Sequence, residues 1–362
     1  MTQHAEQFTG VQILRFVAAM LVVVVHVTQA TSIHITGLGD GHYWGAGDFG
    51  VDIFFVISGF AMAITTQHLP RLGPGRRTAA WVFMRRRILR IVPLYWFYTL
   101  LKIVLALALP ALAAKFVLTP GYVAASLFFI PVANEQGLMW PVLPVGWTLN
   151  FEMLFYAVFA VAIALGTARI VFCATVFALI FAAAQWWPGI QILHFYGQSI
   201  IFEFLLGVCI AHLVTRLGSP KAAFGLLLAV AGFLFALGPS WDDRGSRLVP
   251  WELGATLIVL GIVWCESWIA GLKAARPLAF LGDASYSIYL SHAFVVPAGV
   301  LALKKLGIHD PAAILLIVGC MVVVVGGLSH VWLEKPMTSF FKHYLFPQAS
   351  GPNHHATNAP IK

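Results

Sequence analysis

The sequence predicts an all-α integral membrane protein, a bundle of about ten transmembrane helices with both termini cytoplasmic. Three observations carry this reading. Of the 362 residues, 60% are hydrophobic and 10% charged, well under half of the roughly 25% charged content usual in soluble domains. Apolar blocks of about 20 residues recur along almost the whole chain, each long enough to cross a hydrocarbon core of roughly 30 Å. Arg and Lys gather in short loops rather than over a soluble surface, so the net charge of +8 reads as a topology signal and not as a nucleic-acid footprint.

The spans fall at 11–31, 48–67, 88–112, 146–166, 168–187, 197–215, 221–239, 251–270, 280–302 and 312–333. Backbone hydrogen bonding in lipid makes each of them a helix. The first lacks a basic stretch before it and a small-residue cleavage site after it, and is expected to be retained as an anchor. The loop that follows, 32–47, carries Gly37, Gly39, Gly41, Gly45 and Gly47, mobile backbone near where a substrate could enter. The next loop carries Arg71, Arg76, Arg77, Arg85, Arg86 and Arg87, whereas loop 32–47 has no Lys or Arg; the positive-inside rule therefore places the N-terminus in the cytoplasm. Within 113–145 the apolar run from Tyr122 to Val132 is too short to span and is expected to be interfacial or re-entrant. Further on, Arg169, Arg216, Lys221, Lys273, Arg276, Lys335 and Lys342 fall inside, against Lys115, Arg244, Arg247, Lys304 and Lys305 outside. Residues 1–346 form one transmembrane domain, and 347–362 a polar, disordered tail. Cys173, Cys209, Cys265 and Cys320 lie in apolar blocks without paired or metal-ligand spacing, and no metal site is expected.

An ionisable side chain at a helix centre costs roughly 2.5–3.5 kcal/mol on insertion scales, so the few that are kept point to function. Arg15 and His26 in the first span are 11 residues apart, which returns them to one helix face about 16 Å apart along the axis. Such a face could join a cytoplasmic donor to an external acceptor; the structural alternative is a packed histidine and an arginine reaching the interface. Asp52 enters the second, antiparallel span at the depth of His26, where it can hold the imidazole tautomer and raise its basicity, or simply cap the span. Arg87 and Arg90, at i and i+3, share a face at the inner interface and suit phosphates, although inner-side topology alone accounts for a basic loop. Glu152 and Glu203 lie in the outer halves of the fourth and sixth spans, where either can orient acceptor hydroxyls or bond a neighbouring helix. In the ninth span Ser285, Tyr289 and His292 form one polar stripe, for which helix–helix bonding is the commoner use. His212 and His330 read as structural.

Several segments, in order, resemble the membrane-bound acyltransferase 3 family. Arg15 with His26 looks like its Arg-ten-residues-His motif, and Gly50 to Phe60 like its GVDIFFVISGF block. Arg87 and Arg90 before Pro93 look like its Arg-x-x-Arg motif, Trp147-Thr148-Leu149 with Glu152 like its W-S/T-L-x-x-E segment, and Leu281 to His292 like its SYSIYLxH segment. The resemblance covers roughly residues 10–340. It implies a multi-pass enzyme of the bacterial inner membrane that O-acylates a cell-surface polysaccharide or a lipid-linked precursor. Acyl-CoA, most simply acetyl-CoA, would bind from the cytoplasm. It further implies that the first-span histidine is essential and that the arginines serve the donor. On that basis His26, Asp52 and Glu152 are the expected catalytic residues. Arg15, Arg87 and Arg90 are expected to bind the donor, and Ser58, Tyr289 and His292 to bind substrate. Direct transfer and an acetyl-histidine intermediate both satisfy this set. The rival from the residues alone is a transporter or lipid-linked sugar flippase, in which the buried carboxylates and histidines form a proton path.

Overall fold

The computed structural model describes residues 8–39, 43–69, 75–109, 118–218, 220–236 and 250–345. Among them the protein is all helical, with no strand. The first three helices are α1 (Thr9–Thr31), α2 (Phe49–Thr66) and α3 (Gly75–Ala108). A short α4 (Pro120–Leu127) leads to α5 (Trp147–Leu165), α6 (Arg169–Trp186), α7 (Gln191–Tyr196) and α8 (Glu203–Leu217). Then come α9 (Ala222–Ala236), α10 (Pro250–Trp264), α11 (Glu266–Ala270), α12 (Ala275–Asp283), α13 (Ser285–Lys305), α14 (Pro311–Ser329) and α15 (Lys335–Leu345). Wide π turns at Ser32–Thr36 and His330–Glu334 extend α1 and join α14 to α15.

Among the described residues eight helices are long and apolar enough to cross a membrane. At the expected seventh and eighth spans stand α9 and α10, each described over 15 residues, with residues 237–249 between them outside the described residues. The third span departs most from the sequence reading, because α3 runs 34 residues and takes in the arginines that were expected to lie in a loop. Between Arg76 and Val92 there is no Gly or Pro to stop it, and Arg is a good helix former. The expected ninth span starts at residue 280, yet the chain turns at Ala284, so that a separate short helix, α12, precedes α13. The tail 347–362 and Gly41, Arg71, Lys115, Arg244 and Arg247 lie outside the described residues.

The run after Thr119 is a helix of only eight residues followed by extended chain, as its length foretold. Its polar backbone is satisfied from within the protein. Tyr95 donates to the Ser126 carbonyl (3.0 Å), Tyr122 to the Trp140 carbonyl (2.6 Å), and the Val142 amide to Ser126 Oγ (3.0 Å). Irregular backbone is tolerated at such depth when protein groups complete its hydrogen bonds. α2 crosses α8 at a point where a Cβ on Gly59 would run into the Phe204 carbonyl, and one on Gly207 into the Val56 carbonyl. Two glycines facing each other's helix let the backbones touch, the usual way lipid-embedded helices gain contact. This crossing, with α1 packed on α2 and α13, sets the centre of the bundle.

Candidate active site

Five helices contribute to one narrow cavity of about 140 Å³, which opens into a void of about 940 Å³ when its mouth is counted. α1 supplies Arg15, α2 Ser58, α3 Arg87 and Arg90, α5 Glu152, and α13 Tyr289. The three residues expected to bind the donor therefore converge, although Arg15 precedes Arg87 by 72 residues in sequence. Three guanidinium groups face one carboxylate among the described lining residues, leaving the wall positive. Arg15 donates to Gln12 Oε1 (3.0 Å), and Arg87 donates to Thr65 Oγ1 (3.2 Å) with its guanidinium 5.4 Å from the Phe83 ring. These contacts occupy only part of each five-donor fork and leave donors for an anion.

Glu152 accepts from Ser58 (3.3 Å) and, through a short bond, from the hydroxyl of Tyr156. By counting residues from the span ends, Glu152 belongs at the depth of His26; in the fold it lies in the arginine-lined cavity. Tyr156 escaped the sequence reading, and its signal was the i+4 spacing from Glu152, which puts both on one face of α5. Tyr286, which donates to the Ile91 carbonyl (2.8 Å) beside Pro93, was also missed. So was a buried group at the His330–Glu334 turn, where Glu334 accepts from Ser287 (2.6 Å) and lies 2.8 Å from His330 Nδ1.

His26 and His292 lie behind this cavity and do not line it. The rings of His26 and His292 meet edge to face at 4.8 Å, and that of His292, fully buried, is 5.6 Å from Tyr289 on the cavity wall. Burial makes His292 a neighbour of His26 rather than a surface for substrate. Tyr289 is fixed in turn by the Val145 carbonyl (2.9 Å) and Thr148 (3.0 Å). His26 Nδ1 lies 2.9 Å from the Val22 carbonyl. A carbonyl can only accept, so Nδ1 carries a proton, and in a neutral imidazole the lone pair lies on Nε2. The backbone of α1 thus also offers His26 the kind of contact that the sequence reading expects from Asp52. Asp52 is buried in the first turn of α2, close enough to Glu252 of α10 for their charges to interact.

A helical membrane bundle with a guanidinium-lined cavity and a histidine of fixed tautomer behind it has the parts of a membrane acyltransferase. The comparisons make that class definite: the Acyltransferase domain family matches residues 8–331, and the chain belongs to that family. It is 36% identical over 306 residues to an exopolysaccharide production protein, ExoZ, of Rhizobium meliloti (strain 1021), covering 82% of this chain and 91% of that one. It is 25% identical over 362 residues to the acyltransferase MdmB of Streptomyces mycarofaciens, covering 89% of each. No solved structure matches. The protein is an acyltransferase, and the transporter reading is set aside.

Proposed function

We propose that this acyltransferase moves an acetyl group from cytoplasmic acetyl-CoA to a hydroxyl of a cell-surface polysaccharide or its lipid-linked precursor, in the bacterial inner membrane. One observation carries the reading: arginines from α1 and α3 meet in a single cavity whose far wall, Tyr289, leads through His292 to His26. The polysaccharide acceptor is supported by the likeness to an exopolysaccharide production protein.

Arg15, Arg87 and Arg90 hold the donor's phosphates by bidentate, charge-assisted bonds. Glu152, tied to Ser58 and Tyr156, sets the orientation of the arginine forks across the cavity. The cavity is narrow enough for an extended thioester arm and directs it toward Tyr289 and Phe54, whose rings are 6.1 Å apart. Passage past the Phe54 ring, with Tyr289 held by Val145 and Thr148, brings the thioester to His26. There Nε2 takes the proton of the acceptor hydroxyl as its oxygen attacks the acyl carbon. The carbon–sulfur bond breaks, and the proton passes to the departing sulfur. His292 positions the His26 ring. Asp52, buried on α2, adds negative charge to this half of the bundle and favours the protonated imidazole formed during transfer.

The test is transfer of label from acetyl-CoA to polysaccharide extracted from the host surface, with purified protein in liposomes. His26→Ala should abolish transfer while acetyl-CoA still binds. Arg90→Ala should raise the acetyl-CoA KM at least about tenfold, equivalent to ~1.4 kcal/mol. Equal transfer by wild type and His26→Ala would remove His26 from the reaction, and an unchanged KM in Arg90→Ala would remove the arginine cavity from donor binding.

A further inference from the structure

A second pocket, of about 290 Å³, is lined by Ala63, Ile64 and Gln67 of α2. On the helix these residues face away from Ser58 and Ala61, which line the arginine cavity. The two sites share no described lining residue. The other walls of the second pocket are Phe159 of α5, the turn from α5 into the start of α6, and the last turns of α8. Two guanidinium groups line it, those of Arg169 and Arg216, and none of its described lining residues is Asp or Glu. Of the undescribed residues that adjoin these segments in sequence, 70–74 and 219, none is Asp or Glu either.

Arg169 is the first residue of α6, where a cation adds to the positive end of the helix. No acidic residue stands in that turn, and no side chain caps it. One side of the guanidinium holds the end of α2. Nη1 donates to the Thr66 carbonyl (2.6 Å) and to Thr66 Oγ1 (3.2 Å), and Nη2 to the Leu69 carbonyl (3.3 Å). Arg216 lies in the last turn of α8 and is exposed, with His212 one turn before it on the same face. A helix N-terminus and guanidinium groups from two helices thus surround one concavity. Bringing like charges together is unfavourable unless an anion lies among them. Beside these groups the surface is apolar. Val171, Leu213 and Leu217, each next in sequence to a lining residue, are exposed.

We propose that this pocket binds the phosphate of an acidic phospholipid of the inner leaflet. Arg169, Arg216 and the opening amides of α6 hold the headgroup, and the acyl chains run along α6 and α8 beside Val171, Leu213 and Leu217. Guanidinium groups and helix N-termini both suit phosphate oxygens. On the orientation expected from charge, Arg169 and Arg216 lie on the cytoplasmic side, where basic pockets between spanning helices take anionic headgroups. A soluble anion would use the same charges but leave the apolar side chains beside them without a partner, which favours a lipid. The site braces the arginine cavity from behind. Thr65 accepts from Arg87 and the adjacent Thr66 from Arg169, so a phosphate on Arg169 steadies the turn that helps to position Arg87. The binding itself does not depend on which acyl donor or acceptor the enzyme uses.

The experiment titrates the purified full chain, stripped of lipid in neutral detergent, with phosphatidylglycerol or phosphatidylcholine labelled in the acyl chain. Phosphatidylglycerol should bind saturably and raise the melting temperature, and phosphatidylcholine should bind at least about fivefold more weakly. Arg216→Gln should weaken phosphatidylglycerol binding about fivefold, as expected for one cation at a membrane surface. Arg276→Gln, which removes an equal charge from the exposed surface of α12, should stay within about twofold of wild type. Arg216 is exposed at a helix end, so without lipid both variants should melt with wild type. Equal weakening by the two substitutions, or equal affinity for the two lipids, would reduce the effect to diffuse attraction and overturn the site. Displacement of phosphatidylglycerol by CoA but not by dephospho-CoA would give the pocket to a soluble phosphate and overturn the lipid. Failure of acetyl transfer would leave these binding results intact.

Discussion

At the scale of single residues, the main result is how the imidazole of His26 is prepared. The Val22 carbonyl, one turn back on the same helix, accepts from Nδ1, so in the proposed mechanism no carboxylate is needed to select the tautomer of His26. The residues that hold the histidine pair in place become the sensitive ones. Tyr289 stands between the cavity and His292, with its hydroxyl spent on Val145 and Thr148. Tyr289→Phe would leave those buried groups short of a partner, at a cost of roughly 1–3 kcal/mol. A lower melting temperature in detergent should accompany slower transfer, with acetyl-CoA binding retained; full activity and stability would deny Tyr289 any part in holding the ring pair. Arg15 and His26 were legible from their spacing alone. The partners that matter to them, Val22 apart, come from helices far along the chain.

Among the elements, α2 is the one on which the site depends most. It carries Asp52 and Ser58, and its backbone meets α8 at Gly59 and Gly207 with no room for a side chain. Gly207→Val would force the two helices apart, with an expected loss of about 1–3 kcal/mol. The same displacement carries Ser58 away from Glu152 and should weaken acetyl-CoA binding, whereas Gly207→Ala should do both to a lesser degree. Thermal unfolding and equilibrium binding on the purified variants check this, and a Gly207→Val protein indistinguishable from wild type would show that the crossing has slack. α3 teaches a different lesson about reading elements. Hydropathy finds the lipid-facing part of a helix and stops at the first charges, but a helix continues until its backbone is interrupted, so Arg85 to Arg90 are held on rigid backbone rather than in a loop. That rigidity is what allows Arg87 and Arg90 to keep a common face toward the cavity.

For the molecule as a whole, orientation follows from charge. The cytoplasm should lie at the arginine end of α3 and the outside at the Lys304–Lys305 end of α13. In a protein with its four cysteines replaced, Lys305→Cys should react with a membrane-impermeant thiol reagent on intact cells, and Arg86→Cys only after permeabilisation; the reverse pattern would invert the topology and with it the side from which the donor binds. The helical membrane architecture and the family were legible in the sequence, and the polarity is an expectation from it, because hydropathy, charge asymmetry and contiguous motifs are all local along the chain. Only the tertiary structure decided that Arg15, Arg87, Arg90 and Glu152 share one cavity, and that His26 lies behind Tyr289 and His292. It also decided that Asp52 is buried in the first turn of α2 and that Thr31 Oγ1 is buried without a hydrogen-bond partner near the end of α1. Each of these depends on how helices distant in sequence rotate and cross. In a bundle without a hydrophobic drive to orient its helices, that rotation is set by close contacts such as Gly59 against Gly207, which no periodicity along one strand of sequence can reveal.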